Sequence, residues 1–117
     1  MTATTWIEQY KKAWASNSPE DIRALFTDDA IYAGSPSEES PVTGIDEIIS
    51  WWDEHGDDPG SYTFKYTVLA DTGDMAFVQG VTDYSASGDA VYDNLWVIRF
   101  ASDGRAKEFT EWFMTRD

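Results

Sequence analysis

Glu111 is the residue of this sequence best placed to do chemistry. In Lys107-Glu108-Phe109-Thr110-Glu111-Trp112-Phe113-Met114 the residues alternate as in a strand, so Lys107, Phe109, Glu111 and Phe113 share one face. The segment before it, residues 91–100, alternates the same way and puts Tyr92, Asn94, Trp96, Ile98 and Phe100 on one face. The turn Ser102-Asp103-Gly104-Arg105 joins the two. If their faces coincide, Asn94 and Glu111 are polar groups set among aromatic rings. A carboxyl near Trp96, Phe109 and Phe113 is partly desolvated, and desolvation disfavours the charged form and raises the pKa. A carboxyl tuned in this way suits general acid or base work. The competing reading is structural: Glu111 pairs with Arg99 or Lys107, or accepts a hydrogen bond from a tryptophan N–H. Asn94 needs partners if buried, and an amide there suits orienting a carbonyl or hydroxyl.

Other chemistries are excluded by what the chain lacks. It has no cysteine, which removes disulfides, thiolate metal sites and a cysteine nucleophile. One histidine, His55, leaves a transition-metal site without ligands, so no metal and no cofactor is expected. The net charge is −14, from 22 acidic and 8 basic residues. That surface repels phosphate backbones and anionic lipids, so neither nucleic acid nor membrane is an expected partner. The acidic pairs Asp28-Asp29, Asp57-Asp58 and Asp71/Asp74 do not form the alternating loop of a calcium site. The first five residues carry no basic or long apolar stretch, and no run approaches membrane-spanning length, so a cytoplasmic location is expected.

The elements that must position these residues follow a simple order within one domain, residues 1–117. Trp6, Ile7, Tyr10, Ala13 and Trp14 recur at helical spacing, which predicts a helix over residues 5–16 with Thr5 as its cap and Glu8 closing a capping box. Ser18-Pro19 opens a second helix with Ile22, Leu25 and Phe26 as its stripe. Residues 28–33 read as a short strand, and 34–44 as a loop rich in Pro, Ser and Glu. Ile45, Ile48, Ile49 and Trp52 mark a third helix, ending at His55-Gly56 with Gly56 in a left-handed position. From Ser61 the period becomes two. Residues 62–68 and 75–84 are strands, and Phe77, Gln79, Val81 and Asp83 lie on one side of the second. Four long strands joined by tight turns, preceded by helices, predict an α+β fold. Three N-terminal helices pack on a curved antiparallel sheet of four long strands plus one short strand.

The order of elements resembles the nuclear transport factor 2-like superfamily. The segment Ala24-Leu25-Phe26-Thr27-Asp28-Asp29-Ala30 and the helix opening Gly44-Ile45-Asp46-Glu47-Ile48 look like stretches typical of that group. Asn94 to Phe100, Asp103-Gly104-Arg105 and Glu111-Trp112 look like the closing strands of its SnoaL-like, polyketide-cyclase-like branch. The resemblance covers nearly the whole chain. It implies a cystatin-like cone of sheet around a pocket and a homodimer through the outer sheet face, where Thr63, Lys65, Thr67, Val91, Leu95 and Val97 are mixed in character. Ketosteroid isomerase, one member, allows a residue-by-residue comparison. Its oxyanion tyrosine matches Tyr10, its base falls at Gly34, and its second acid falls near Trp96. Two of the three groups are absent, so that route to isomerisation is not expected. The comparison implies that Gln79, Val81, Asp83, Asn94, Trp96, Phe109, Glu111 and Phe113 face the pocket.

The candidate catalytic groups are therefore Glu111, Asp83 as a second carboxyl able to share its proton, and Tyr10 as an oxyanion donor. The candidate ligand contacts are Trp14, Tyr32, Gln79, Asn94, Trp96, Phe109 and Phe113. For Tyr10 and Trp14 the alternative is core packing; for Trp51 and Trp52 it is core or pocket lid. Three functions are open: binding of a small apolar or aromatic molecule carrying an oxygen; acid–base catalysis such as cyclisation, isomerisation or dehydration; or protein binding by the outer sheet face.

Overall fold

Helix α1 (Ala3–Ser16) starts two residues before the expected position, and its cap is Thr2, whose Oγ1 accepts from the Thr5 N–H at 3.2 Å. The expected Thr5–Glu8 box does not form. A distant residue sets the start instead: Asp71 Oδ2 accepts from the Ala3 N–H at 3.0 Å and so takes one of the donors a helix start leaves unpaired. The helix ends at Asn17, which adopts a left-handed φ of 52°. The computed structural model describes residues 2–37, 40–58 and 60–116, and in these α2 (Pro19–Arg23) is a single short turn. Leu25 and Phe26, expected on its stripe, lie beyond it. Leu25 is fully buried and its carbonyl accepts from Trp6 Nε1 and from the Ala106 N–H.

Strand β1 (Phe26–Ala33) begins where that turn ends. A two-residue strand, β2 (Val42–Thr43), pairs with it inside the segment expected to be loop; Glu38 and Glu39 of that segment lie outside the described residues. Helix α3 (Ile45–His55) buries Ile45, Ile48 and Trp52 as the spacing predicts. Gly56 corrects one expectation. Its φ is −66°, so it is not left-handed. Glycine is required there by contact, because a Cβ would lie 2.7 Å from the Trp52 carbonyl oxygen.

Strands β3 (Thr63–Asp71), β4 (Met75–Asp83), β5 (Val91–Phe100) and β6 (Ala106–Thr115) form an antiparallel meander. Strand β1 joins β6 in parallel, giving one sheet of order β2-β1-β6-β5-β4-β3, one strand more than expected. The α+β architecture and the order of its elements are as predicted. No helix among the described residues is long and apolar enough to cross a membrane.

The core is aromatic. Trp6, Phe26, Trp96 and Phe109 are almost wholly buried, and Tyr10 packs on Trp96 and Phe109 with ring centroids 4.6 and 5.6 Å away. These rings from α1, β5 and β6 fill most of the space between helices and sheet. Strand β4 accommodates them by being small inside. Its inward residues are Ala76, Val78, Gly80 and Thr82, and Gly80 pairs with Asn94 in the ladder. Phe77, Gln79, Val81 and Asp83 therefore face outward, opposite to expectation. The comparison with ketosteroid isomerase implies the reverse phase, but size decides it: a Cβ on Gly80 would sit 2.6 Å from Phe64 Cε1, and Phe64 is stacked on Trp96 at 4.8 Å. Gly80→Ala is expected to destabilise the fold by about 1–3 kcal/mol through overpacking, with no change in the urea m-value. A loss below about 0.5 kcal/mol in urea titration would show that the Phe64 ring gives way freely.

Candidate functional site

Strands β5 and β6 bring Trp96 and Glu111 into direct register. Trp96 Nε1 donates to Glu111 Oε2 at 2.7 Å, and Asn94 Nδ2 donates to the same oxygen at 3.2 Å. Thr82 Oγ1 donates to Asn94 Oδ1 at 2.8 Å, which fixes the amide so that its N–H group points at the carboxyl. Glu111 Oε1 accepts no hydrogen bond from the described residues. Burial pushes the Glu111 pKa up from its ordinary value, and the hydrogen bonds from Trp96 and Asn94 pull against that shift. Arg99, one suggested partner, is engaged by Glu108 at 3.0 Å instead. The expected tryptophan N–H bond is present, and it leaves half of the carboxyl unused.

The carboxyl opens into a cavity of about 120 Å³ at the mouth of the cone, between α1, the end of α3 and strands β5 and β6. Tyr10, Trp14, Tyr32, Trp51, Trp52 and Trp96 form its walls. The Tyr10 and Tyr32 hydroxyls meet at 3.4 Å. Burial, then the neighbouring Tyr32 and Glu111, raise the Tyr10 pKa well above its ordinary value, so its hydroxyl stays protonated and can donate. The Trp52 Nε1 is buried without a partner among the described residues. His55 stacks on Trp51 at 4.6 Å, and its Nδ1–H donates to the Trp51 carbonyl at 2.9 Å. Among the described residues no group of three or more carboxylates and histidines is arranged to hold a metal ion.

Five expected site residues meet here: Tyr10, Trp14, Tyr32, Trp96 and Glu111. The others do not line the cavity. Phe109 is fully buried and stacks under Tyr32 at 5.0 Å, so it is a floor beneath the site. Asn94 spends its amide on Thr82 and Glu111 and positions the carboxyl without meeting the space. Phe113 shares the inner face but lies at the open end of the strand, half exposed and edge-on to Tyr92 at 5.8 Å. Gln79 is on the outer face with Leu95 beside it. Asp83 is also outside: it caps the Ser85 N–H at 2.8 Å, and the Ser85 hydroxyl and backbone hold its pKa below the usual range. It cannot share a proton with Glu111.

The cavity lining also contains a carboxylate that was not expected. Asp57, just after α3, lines the mouth, and its Oδ2 accepts from Trp14 Nε1 at 3.0 Å and from the Tyr84 hydroxyl at 2.8 Å. Burial and the Asp57 contact push the Tyr84 hydroxyl up beyond its usual range. In the sequence Asp57 appears only as half of an acidic pair. The available signal was indirect: a partly buried Trp14 needs an acceptor for its indole N–H.

Comparison with known proteins agrees with this fold. The model of the SnoaL-like domain matches residues 7–109. No curated protein sequence matches the chain. Among solved structures, an NTF-2 like protein of unknown function from Burkholderia xenovorans LB400 superposes with a TM-score of 0.76 at 14% identity, covering 97% of this chain and 84% of its own. A cystatin-like fold protein from the same organism gives 0.70 at 18% identity, with 97% and 90% covered. A steroid delta-isomerase from Pseudomonas aeruginosa gives 0.68 at 19% identity, with 96% and 79% covered. At these identities the structural likeness speaks for the fold. The family match spans most of the chain, from α1 to Phe109 in β6, and ends just before Glu111; the chain belongs to the SnoaL-like domain family.

Proposed function

We propose that this domain binds a small molecule in the aromatic cavity beside Glu111. The observation that carries the reading is a half-buried carboxyl whose Oε1 accepts no hydrogen bond from the described residues and lies at the wall of that cavity. A half-buried carboxylate oxygen open toward an accessible, aromatic-walled space is a natural contact for a ligand. The volume bounds the ligand. About 120 Å³ is somewhat less than the roughly 150 Å³ cavity that accepts benzene, and well below the ~300 Å³ or more of sites for drug-sized ligands. A steroid does not fit, because Tyr10, Trp96 and Phe109 occupy the interior it would need.

A second reading is acid–base catalysis in the same cavity, by cyclisation, isomerisation or dehydration. The raised pKa of Glu111 and the Tyr10 hydroxyl on the same wall favour it. Glu111 would move the proton and Tyr10 would donate to the oxygen; Asp83 takes no part.

The outer sheet face supports a homodimer. Leu69, Trp112 and Met114 are exposed there at 55%, 40% and 70%, and they border an open groove with Leu95 and Gln79. Large exposed apolar side chains gathered on one face mark an interaction surface. The same face carries both signs of charge, with Lys65 and Arg99 against Asp83, Asp93 and Glu108, so a second copy can pair with it on a chain otherwise strongly acidic.

Three outcomes are expected. A fragment screen followed by the tryptophan indole N–H resonances should find ligands of single-ring size that shift Trp14, Trp52 and Trp96 together; hits confined to the outer groove would sink the reading. Glu111→Gln should change how stability depends on pH. A carboxyl whose pKa is raised by folding stabilises the fold fully below its unfolded value of 4.5 and loses that contribution as pH rises through its folded pKa. The stability of the variant relative to the parent should therefore increase with pH across that window and then level off; a flat difference would mean Glu111 is not desolvated. Sedimentation at micromolar concentration should give a dimer, and Trp112→Asp should give a monomer with the same circular dichroism. A parent that sediments as a monomer defeats the dimer.

A further inference from the structure

The cavity has an electrostatic character that the presence of a ligand site does not by itself explain. Its carboxylates are Glu111 and Asp57, and neither lysine nor arginine lines it. The basic residues are turned outward. Lys11, Lys12, Arg23, Arg99, Arg105 and Arg116 all pair with surface carboxylates. Glu111 is hydrogen-bonded by neutral donors alone, so no protein cation offsets its charge. Burial is the main cause of the raised pKa values of Tyr10 in the wall and Tyr84 at the mouth, and the carboxylates add to it. The Glu111 charge contributes to raising Tyr10, and the charges of Asp57 and Glu111 both contribute to raising Tyr84.

The walls add to this field. Six aromatic rings surround the space, and an aromatic face presents the negative side of its quadrupole. Such a box attracts a positive charge within about 6 Å of the ring centres, and the attraction is strongest where water is excluded. An anion or a developing oxyanion would meet two carboxylates and a set of ring faces. Of the wall hydroxyls among the described residues, Tyr10 and Tyr32 share one hydrogen bond with each other, so one of the two protons is already taken. The approach has the same sign. A shallow groove lined by Asp57, Asp58 and Asp89 runs into the mouth and shares Gly56 and Asp57 with the cavity. A lining of one sign raises the local concentration of the opposite ion.

Taking as given the reading above that this cavity is the ligand site, we propose that its occupant is a small organic cation, an alkylated ammonium. Its charge would lie among the Trp and Tyr faces and against Glu111 Oε1. The volume, equal to roughly four waters at about 30 Å³ each, suits a group the size of a tetramethylammonium head. Asp57 is held at the entrance by Trp14 and Tyr84 through Oδ2 alone, and it acts as the outer of two carboxylates along the path.

The test compares choline with 3,3-dimethyl-1-butanol, a neutral molecule of the same shape in which carbon replaces the nitrogen. Each is titrated into the purified protein while the indole N–H resonances are followed. The expected result is a Kd for choline at least about tenfold lower than for the alcohol. Glu111→Gln should remove most of that preference by weakening choline and leaving the alcohol unchanged. Asp57→Asn should reduce it in part. An alcohol that binds as well as choline would overturn the cation proposal and leave the small-molecule site standing. If neither probe moves an indole resonance at about 100 mM, the cation proposal falls, and so does the cavity as a site for molecules of this size. The comparison on the unmodified protein decides the matter even if a variant fails to fold.

Discussion

The hydrogen bond from Trp96 Nε1 to Glu111 Oε2 joins the core of this domain to its site. The Trp96 ring is buried and touches Tyr10, Phe64 and Phe109 within 4.6–5.2 Å. Its indole N–H needs an acceptor, and an unmet donor at that depth costs about 1–3 kcal/mol. Glu111, opposite it in the β5–β6 ladder, supplies the acceptor. Once that pairing is fixed, Asn94 must turn its N–H group to the carboxyl and Thr82 must hold the other end of the amide. The packing of one tryptophan thus sets the position and the electrostatics of the carboxyl two strands deep.

The same ring explains why the cone holds a small cavity at its mouth and little space further in. Trp6, Phe26, Trp96 and Phe109 stack through the interior, and β4 yields to them with Ala76, Val78 and Gly80. Close packing of this kind leaves few voids. Space remains only where α1 and α3 end and the sheet opens. There the chain places residues with one polar end each, namely Tyr10, Tyr32, Trp14 and Trp52, so the rim of the core becomes the wall of the site.

The sequence was legible where large side chains alternate. In β5 and β6 the aromatic face is the buried face, and Trp96, Asn94 and Glu111 could be grouped before any coordinates. In β4 the rule failed for Gln79 and Asp83. Phe77 and Val81 are apolar but face outward, and the inward positions are small because the rings of Phe64 and Trp96 overhang them. Hydrophobic alternation gives a phase only when one face is polar, and the outer face of β4 mixes Phe77 and Val81 with Gln79 and Asp83. Helix starts were hidden for a related reason. Thr2 rather than Thr5 caps α1 because Asp71, on a strand far along the chain, takes the Ala3 N–H. Asp57 was illegible because its role depends on Trp14 and Tyr84, residues brought to it by the fold alone.

Glu111 is an uneconomical choice if it serves only to satisfy Trp96. A glutamine would accept the same indole N–H without a charge to desolvate. Taking a carboxylate out of water costs several kcal/mol, and bonds from neutral donors return only part of that. Glu111 is half-buried, held by two neutral donors, and has no cationic partner among the described residues. Strain of this kind persists where a bound group relieves it, because the ligand then gains what the empty protein gives up. The aromatic walls, the second carboxylate at the entrance and the outward-turned basic residues all favour relief by positive charge. On the proposed function, the half-engaged carboxyl of Glu111 is the property by which a binding site here differs from a gap in the packing.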